Sequence, residues 1–373
     1  MAGFRLGRIL GFEINIDWSW LFIFFLVVYS LAAGYFPRFY PELGVATNWV
    51  VGVVAALLLF ASVLFHELAH SIVSRSHGNE VKGITLFLFG GMAQTSDEPK
   101  RAREEFWMAI AGPISSFALA LAFYVLGGVG RMAGWPVSVV AILGYLAFIN
   151  LVLGAFNLLP GYPLDGGRVL RSIIWGTSND LEKATRYASH TGQLIGYVLM
   201  GIGFLNMMLG TLVGGLWMIF VGWFLTGAAR AGYQQLQIRQ ALTGVRVEQV
   251  MTTDVPVIPA SMSIREFVDD RLLRHDYSCY PVAEGDQPIG VIGAEEVRGV
   301  PSERWGVTTV GEIAHRADGA LKIARNEDAW EALSRLTNQS VCRLIVVDGD
   351  RIQGTVGRES LFRLVQTKLR LGL

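Results

Sequence analysis

Six long apolar stretches constrain this chain more than any other feature of its sequence. A helix needs roughly 20 largely apolar residues to cross the hydrocarbon core of a bilayer. The stretches that meet this requirement are residues 18–36, 49–69, 106–129, 137–159, 191–209 and 213–231. Only 17% of the residues are charged, whereas soluble domains carry about a quarter. We therefore predict a multi-pass α-helical membrane protein with about six spans.

Basic residues in the short connections predict the orientation of the chain, because cytosolic loops carry an excess of Lys and Arg. One set of connections holds Arg5, Arg8, Arg75, Lys82, Lys100, Arg101, Arg103, Arg168, Arg171, Lys183 and Arg186. The connections on the opposite side hold only Arg38 and Arg131. This asymmetry places both termini in the cytosol and the spans in the cell (plasma or inner) membrane. A formal net charge of zero gives no reason to expect a nucleic-acid partner.

Residues 80–96 lie between the second and third spans and are too short to cross a membrane. They contain β-branched and aromatic residues on both sides of Gly90 and Gly91. This composition predicts a short β-hairpin. We expect the hairpin to lie at the membrane surface or to re-enter the bilayer.

The polar tail after Gln234 contains an internal repeat. Residues 247–250 match residues 310–313, and Cys279 falls on Cys342 at the same spacing. Each copy has the pattern of strand, helix, strand, strand and helix. We therefore divide the chain into a membrane domain at 1–231, a linker at 232–245 and two small α/β domains at 246–304 and 305–373.

Cys279 and Cys342 are the only cysteines, and neither belongs to a Cys-x-x-Cys pair. This spacing argues against a thiolate zinc site and against a disulfide framework. We accordingly expect free thiols and a reducing, cytosolic location for the tail.

The strongest chemical signal is His66-Glu67-Leu68-Ala69-His70, near the end of the second span. Residues four apart lie on one face of a helix, about 6 Å apart along the axis. Both imidazoles can therefore reach one zinc ion, and Glu67 stands beside it to deprotonate a bound water. A chance match is disfavoured, because each ionisable residue at the centre of a span costs ~2.5–3.5 kcal/mol on insertion scales.

A catalytic zinc ion usually has three protein ligands and one open position. Candidates for the third ligand are His77, Glu80, Asp97, Asp165 and His190. Asp165 stands out because it follows a Pro- and Gly-rich segment after the fourth span, and irregular backbone at that depth is tolerated where it lines a cavity. The alternative is that Asp165 merely caps a helix that begins at Gly166. The residues alone leave these two interpretations about equal.

The spacing of His66-Glu67-Leu68-Ala69-His70, Asn157 and Pro163-Leu164-Asp165-Gly166-Gly167 resembles the site-2 protease family of intramembrane zinc metalloproteases (peptidase family M50). The resemblance extends over residues 5–231. It implies that Asp165 is the third zinc ligand and that Asn157 helps to hold the substrate or the oxyanion. Asp17 stands where many members of the family have histidine, which is outside the zinc motif.

The repeated tail resembles a pair of CBS domains, which some site-2 proteases carry. Such pairs commonly bind adenine nucleotides through a Thr or Ser and an Asp after the last strand. The corresponding residues are Gly293-Ala294-Glu295-Glu296 and Gly357-Arg358-Glu359-Ser360, which lack that pattern. The resemblance therefore implies the fold, with nucleotide binding and homodimerisation or substrate gating as alternatives for its role.

The resemblance implies a zinc metalloendopeptidase that cleaves within or near a transmembrane segment of another protein, such as an anti-sigma factor or a membrane-tethered regulator. We also expect the exposed edge of residues 83–95 to capture an extended substrate by strand addition, so that proline at Ile84 or Leu86 would reduce cleavage. The alternatives are an ion or metal transporter regulated by CBS domains and an inactive scaffold. Glu67 argues against transport, since a transporter does not need a general base.

Overall fold

The computed structural model describes residues 3–88, 90–95, 99–274, 279–285, 287–316, 321–339, 341–349 and 351–371. Six helical segments are long and apolar enough to cross a membrane, which agrees with the predicted number of spans. They carry exposed apolar side chains such as Phe22, Leu121 and Leu194. Helices suit a lipid environment because they satisfy their backbone hydrogen bonds internally.

The helices that build this part of the chain differ in length and role. They are α1 (Trp18–Ser30), α2 (Phe36–Phe39), α3 (Val45–Ser76), α4 (Ala102–Met132), α5 (Val137–Asn157), α6 (Asp165–Ser178), α7 (Leu181–Met208) and α8 (Leu212–Leu242). A π-helical turn, Leu31–Tyr35, joins α1 to α2. The last span was predicted to end at residue 231, but α8 continues to Leu242. The residues after the apolar stretch, 232–242, are mostly Gln, Leu, Arg and Ala, which favour a helix.

A four-stranded sheet contains the predicted hairpin. Its strands are β1 (Gly3–Ile9), β2 (Phe12–Asp17), β3 (Val81–Phe87) and β4 (Gly90–Thr95), and they lie in that order. The antiparallel pair β3–β4 confirms the hairpin. β1 and β2 were not predicted from the sequence, and β2 joins the hairpin by pairing in parallel with β3.

The position of β3 corrects the expectation for the strand edge. β3 pairs with β2 on one side and with β4 on the other, so its backbone groups are already used. Ile84 and Leu86 lie in this inner strand and are buried. Proline at either position would break the sheet and would not test substrate capture. The free edge beside the hairpin belongs to β4.

α4 is the helix around which the membrane part packs, since it contacts α3, α5 and α6. Apolar side chains from the first spans and from α5 form a separate core, which includes Phe36, Ala55 and Leu146. This arrangement positions α3 and the start of α6 on the same side of α4.

The chain divides into two compact units, Met1–Gln234 and Gln235–Leu373. The second unit contains two mixed sheets, with strand orders β5-β6-β7-β8 and β11-β10-β9. Its elements are β5 (Ile258–Pro259), α9 (Ile264–Phe267), β6 (Cys279–Glu284), β7 (Gln287–Gly293), α10 (Ala294–Arg298), α11 (Val310–Ile313), β8 (His315–Arg316), β9 (Lys322–Ala324), α12 (Ala329–Asn338), β10 (Arg343–Asp348), β11 (Arg351–Gly357) and α13 (Arg358–Leu371).

The predicted repeat is visible in this order of elements. β5, α9, β6, β7 and α10 form the first copy, and β9, α12, β10, β11 and α13 form the second. The two copies are not independent within the unit. Thr252, near the start of the first small domain, forms a β-bridge with Thr355 in β11. Cys279 and Val291 also pack in the same apolar core as Leu344 of the second copy.

A disulfide joins Cys279 to Cys342, with the two Cα atoms 6.0 Å apart. The expectation of free thiols was therefore wrong. The two residues lie at equivalent points of the two copies: Cys279 is the first residue of β6, and Cys342 directly precedes β10. The two strands contact each other. Such long-range proximity does not show in local cysteine spacing, and the cysteines no longer support a cytosolic location.

Candidate metal centre

The helix α3 places His66 and His70 one turn apart on the side that faces α4 and α6. His66 is 3% exposed, and His70 is half-buried. Glu67 follows His66 directly and is also half-buried. The predicted helical spacing therefore holds in the structure, and the two imidazoles point toward the same space.

Asp165 reaches that space from the first residue of α6. Its Oδ2 atom lies 3.0 Å from His66 Nε2 and 3.2 Å from His70 Nε2. The two Nε2 atoms are 3.2 Å from each other. Among the described residues, His66, His70 and Asp165 are the group whose donor atoms converge closely enough to hold a metal ion.

The helix-cap interpretation of Asp165 fails on geometry. α6 begins at Asp165 itself, its N-cap residue is Leu164, and no side-chain cap hydrogen bond is present. The carboxylate points at the two imidazoles instead. A helix N-terminus favours a negative charge, so this position also stabilises the ionised form of the ligand.

The protonation of His70 shows that the cluster fits a cation. His70 Nδ1 lies 2.6 Å from the backbone oxygen of Met108. A carbonyl oxygen only accepts, so Nδ1 carries the proton and the neutral ring has a bare lone pair on Nε2. That lone pair faces the carboxylate of Asp165, which also only accepts. Either a second proton on the ring or a metal ion between the two atoms relieves this repulsion, so the pair is suited to hold a positive charge.

The separations of the donor atoms also suit zinc. A tetrahedral zinc ion has bonds of ~2.0–2.1 Å to imidazole nitrogen and carboxylate oxygen, which puts its ligand atoms roughly 3.3 Å apart. The observed separations of 3.0–3.2 Å are close to that value. Two nitrogens and one oxygen form the usual donor set of a catalytic zinc site, in which a further position stays open.

α4 orients both histidines from behind. The Met108 carbonyl holds His70, and Ser116 Oγ lies 2.8 Å from His66 Nδ1 in a fully buried contact. Partners of this kind fix the ring and raise its basicity as a ligand. Ser116 was not predicted as a site residue, although a polar side chain inside an apolar span could have indicated it. The sequence offered no such signal for the backbone of Met108.

Gly112 keeps the space beside the imidazoles free. A Cβ atom at this position would lie 2.5 Å from His66 Nε2 and nearer still to His70 Nε2. Gly91 in β4 has the same relation to Glu67, because a Cβ atom there would overlap that side chain. The edge strand β4 therefore lies directly against Glu67.

A buried ion pair holds α6 against α4. Glu105 is fully buried, and its Oε1 atom accepts a hydrogen bond of 2.7 Å from Arg171 Nε. Arg168 Nε approaches the same oxygen at 3.7 Å. Glu105 lies one turn before Met108, and Arg168 lies one turn after Asp165. The pair thus fixes the helix segment that orients His70 against the segment that carries the third donor.

The electrostatics of Asp165 follow from its neighbours. Burial alone would raise the pKa of its carboxyl group, but the imidazoles of His70 and His66, when they are protonated, outweigh burial and hold that pKa below its usual range. The carboxylate is therefore ionised at neutral pH, as a metal ligand must be.

The other predicted residues lie elsewhere. His77, Glu80 and His190 are exposed and do not join the cluster, and Asp97 lies outside the described residues. Asn157 ends α5, eight residues before the donor Asp165, and is half-buried. Within the described part of the chain, its side chain forms no hydrogen bond to the cluster.

Comparison with known proteins shows the families that this chain resembles. The model of peptidase family M50 matches residues 54–133 and 130–202, and the CBS domain model matches residues 247–303. A candidate zinc metalloprotease of Synechocystis is 35% identical over 97% of this chain and 95% of its own length. The candidate zinc metalloprotease Rip3 of Mycobacterium tuberculosis is 35% identical over 96% of this chain and 92% of its own.

A solved structure of a site-2 protease from Methanocaldococcus jannaschii is 28% identical to the chain. The match covers 62% of this chain and 94% of that one, with a TM-score of 0.43.

Proposed function

The chain belongs to peptidase family M50, and from this premise we propose that it hydrolyses a peptide bond within or beside a transmembrane segment of another membrane protein. It is a zinc metalloprotease of the membrane with a C-terminal CBS domain. The observation that carries the proposal is the convergence of His66 Nε2, His70 Nε2 and Asp165 Oδ2, which lie 3.0–3.2 Å from one another, with Glu67 alongside.

We assign a role to each residue of the proposed site. His66, His70 and Asp165 would hold a zinc ion, which would supply a Lewis acid and lower the pKa of a water molecule bound to it. Glu67 takes the proton of the attacking water and delivers it to the leaving amine. Ser116 and the Met108 carbonyl keep the two imidazole rings in place. Asn157 positions the substrate carbonyl, a role that rests on its place in the family motif.

The edge strand β4 is the proposed site of substrate capture. A helical substrate hides its scissile carbonyl in a hydrogen bond and must be extended before it is cleaved. β4 offers a free edge and lies against Glu67, so strand addition there brings an extended segment to the general base. Ala93→Pro and Gln94→Pro are tested separately. The variant that loses an N–H group on the free edge of β4 should cleave the substrate more slowly. Full activity of both variants would exclude capture by β4.

The function is tested by cleavage of a single-span substrate in proteoliposomes by wild type and Glu67→Gln. The variant should retain one zinc ion per chain and lose cleavage, because only the general base changes. Cleavage at the wild-type rate would contradict the mechanism. Metal transport by both proteins, without cleavage by either, would favour the transporter that the sequence left as an alternative.

We propose that the CBS domain modulates this activity by binding an adenine nucleotide. Glu296 and Glu359 follow the last strands of the two copies, in α10 and α13, and they accept hydrogen bonds from the Gly293 backbone and from Arg343. Calorimetry of the whole protein with AMP and with ATP tests the ligand. If neither binds, cross-linking of tagged copies distinguishes the second role, which is homodimerisation or gating of substrate entry.

The remaining proposals concern topology and domain limits. We propose that both termini lie in the cytosol, that the protease domain is 1–231, and that two CBS domains at 246–304 and 305–373 follow a linker. Single-cysteine labelling from outside intact cells checks the topology. Labelling of a cysteine placed at Arg131, together with protection of one placed at Arg103, is the expected pattern.

A further inference from the structure

A groove of about 690 Å³ lies between the chain that follows α1 and the paired helices α4 and α5. Its walls are aromatic and apolar, and they include Tyr35, Phe117 and Phe148. The volume falls in the range of about 300–1,000 Å³ that is usual for small-molecule sites. The metal donors and their hydrogen-bond partners are not among the described lining residues, so this groove is a separate feature of the membrane unit.

The length of the groove matches one leaflet of a bilayer. Its lining along α4 extends from Phe117 to Arg131, which is roughly 21 Å of helix at about 1.5 Å per residue. The hydrocarbon core is ~30 Å thick, so one leaflet contributes ~15 Å. A single acyl chain with its headgroup has the length of this groove, whereas a spanning helix would extend well beyond it.

One end of the groove lies at the membrane boundary. Arg131 is in the last turn of α4 and belongs to the lining. The Trp135 ring packs so close to Gly130 that a Cβ atom there would lie 2.8 Å from it. Tyr40 lines the groove, and its hydroxyl lies close to Gly144. Trp, Tyr and Arg at helix ends mark the headgroup region of the bilayer.

Arg131 forms no ion pair with an acidic residue in the part of the chain that the structure describes. Arg8 and Arg168 are paired with Glu13 and Glu105, respectively. A guanidinium without a carboxylate partner at this depth attracts a phosphate, which it binds through two parallel N–H donors. The apolar walls and this single cation are therefore complementary to the two parts of a phospholipid.

We infer that the groove binds one glycerophospholipid of the leaflet in which α4 ends. Its phosphate contacts Arg131, and one acyl chain follows α4 toward Phe117. The lipid also contacts Tyr35 and Tyr40, so it joins the segment after α1 to the α4–α5 pair. This inference concerns lipid binding and does not depend on peptide cleavage.

Native mass spectrometry of the full chain in detergent tests the inference, with dioleoyl phosphatidylglycerol as the added probe after delipidation. Arg131→Gln should weaken binding of the first lipid about tenfold, since it removes a charged hydrogen bond. The matched control is Arg38→Gln, which changes the other basic residue predicted on that side. Arg131→Lys should restore part of the affinity.

A second pair of variants tests the apolar part of the groove. No heavy atom lies within 4 Å of a Cβ atom placed on Gly128, so Gly128→Leu fills the groove without a clash. Gly201 on α7 is equally open but lies outside the groove, and Gly201→Leu is the control. Gly128→Leu should reduce lipid binding about tenfold, as the loss of a well-fitted apolar contact does, and Gly201→Leu should leave binding unchanged.

Equal lipid binding by wild type, Arg131→Gln and Gly128→Leu would overturn the inference. So would a Gly128→Leu variant that keeps its lipid but no longer binds the single-span substrate, because the groove would then hold substrate. A thermal unfolding midpoint within a few degrees of wild type shows that each variant is folded.

Discussion

The membrane unit and the C-terminal unit place the same types of charged residue in opposite environments. In the membrane unit, Glu105 is fully buried and bonded to Arg171, and His66 is almost fully buried against Ser116. In the C-terminal unit, the exposed Glu331 forms an ion pair with Arg335 one helical turn away in α12, and Arg335 also pairs with Glu327. A polar residue in an apolar span is costly, so its presence there identifies function or assembly, whereas the same residue in the tail carries little information.

The largest effect is expected from substitution of Asp165 in the membrane unit. Asp165→Ala removes one of three donor atoms, and since loss of an outer partner already costs about 10–100-fold in metal affinity, loss of a ligand should cost at least about 100-fold. Zinc content after dialysis, measured by atomic emission, should fall together with substrate cleavage. Retention of one zinc ion per chain would remove Asp165 from the metal centre.

The buried ion pair should give the next largest effect. Glu105→Gln leaves Arg171 buried without its counter-charge, and breaking such a pair costs about 3–5 kcal/mol. Reversible unfolding in mixed micelles should report this loss in the free energy of unfolding. The double variant Glu105→Met/Arg171→Met removes both charges and should recover much of it. A single variant as stable as wild type would show that the pair does not hold α6.

Ser116 should have a smaller and more specific effect. Ser116→Ala removes the partner of His66 Nδ1 and should weaken zinc binding about 10–100-fold while the protein stays folded. A competition titration with a chelating dye measures this change. Ser115→Ala is the matched control, because Ser115 bonds only to the backbone of its own helix at Gly112 in the described structure. Equal zinc affinity of both variants would argue against orientation of His66 by Ser116.

The smallest effect is expected in the C-terminal unit. Glu331→Gln breaks an exposed i,i+4 pair with Arg335, and such pairs contribute about 0.3–0.5 kcal/mol. The unfolding of the C-terminal unit, followed in the full chain by hydrogen exchange of α12, should shift by no more than this amount. A loss comparable to that of Glu105→Gln would erase the distinction between the two units.

The sequence predicted the features that depend on local periodicity. The six spans follow from apolar length, the hairpin β3–β4 from its composition, and the His66–His70 pair from helical spacing. The repeat in the tail was also visible, because its two copies keep the same order of strands and helices.

The features that the sequence did not reveal are contacts between distant segments. β2 pairs with β3 although the helices α1 to α3 separate the two strands in sequence. Glu105 pairs with Arg171, which lies in another helix. The disulfide joins two copies whose cysteines are far apart in the chain. Asp165 is the intermediate case, since its own neighbourhood also allowed a helix cap and only the folded chain excludes it.

X-ray absorption at the zinc edge tests the metal centre most directly. Full-length protein should bind one zinc ion per chain, with nitrogen and oxygen neighbours at ~2.0–2.1 Å and the multiple scattering of two imidazoles. Replacing His70 with Ala should reduce the imidazole signal by half. Sulfur neighbours at ~2.3 Å, or a spectrum that His66, His70 and Asp165 substitutions all leave unchanged, would contradict the proposed centre.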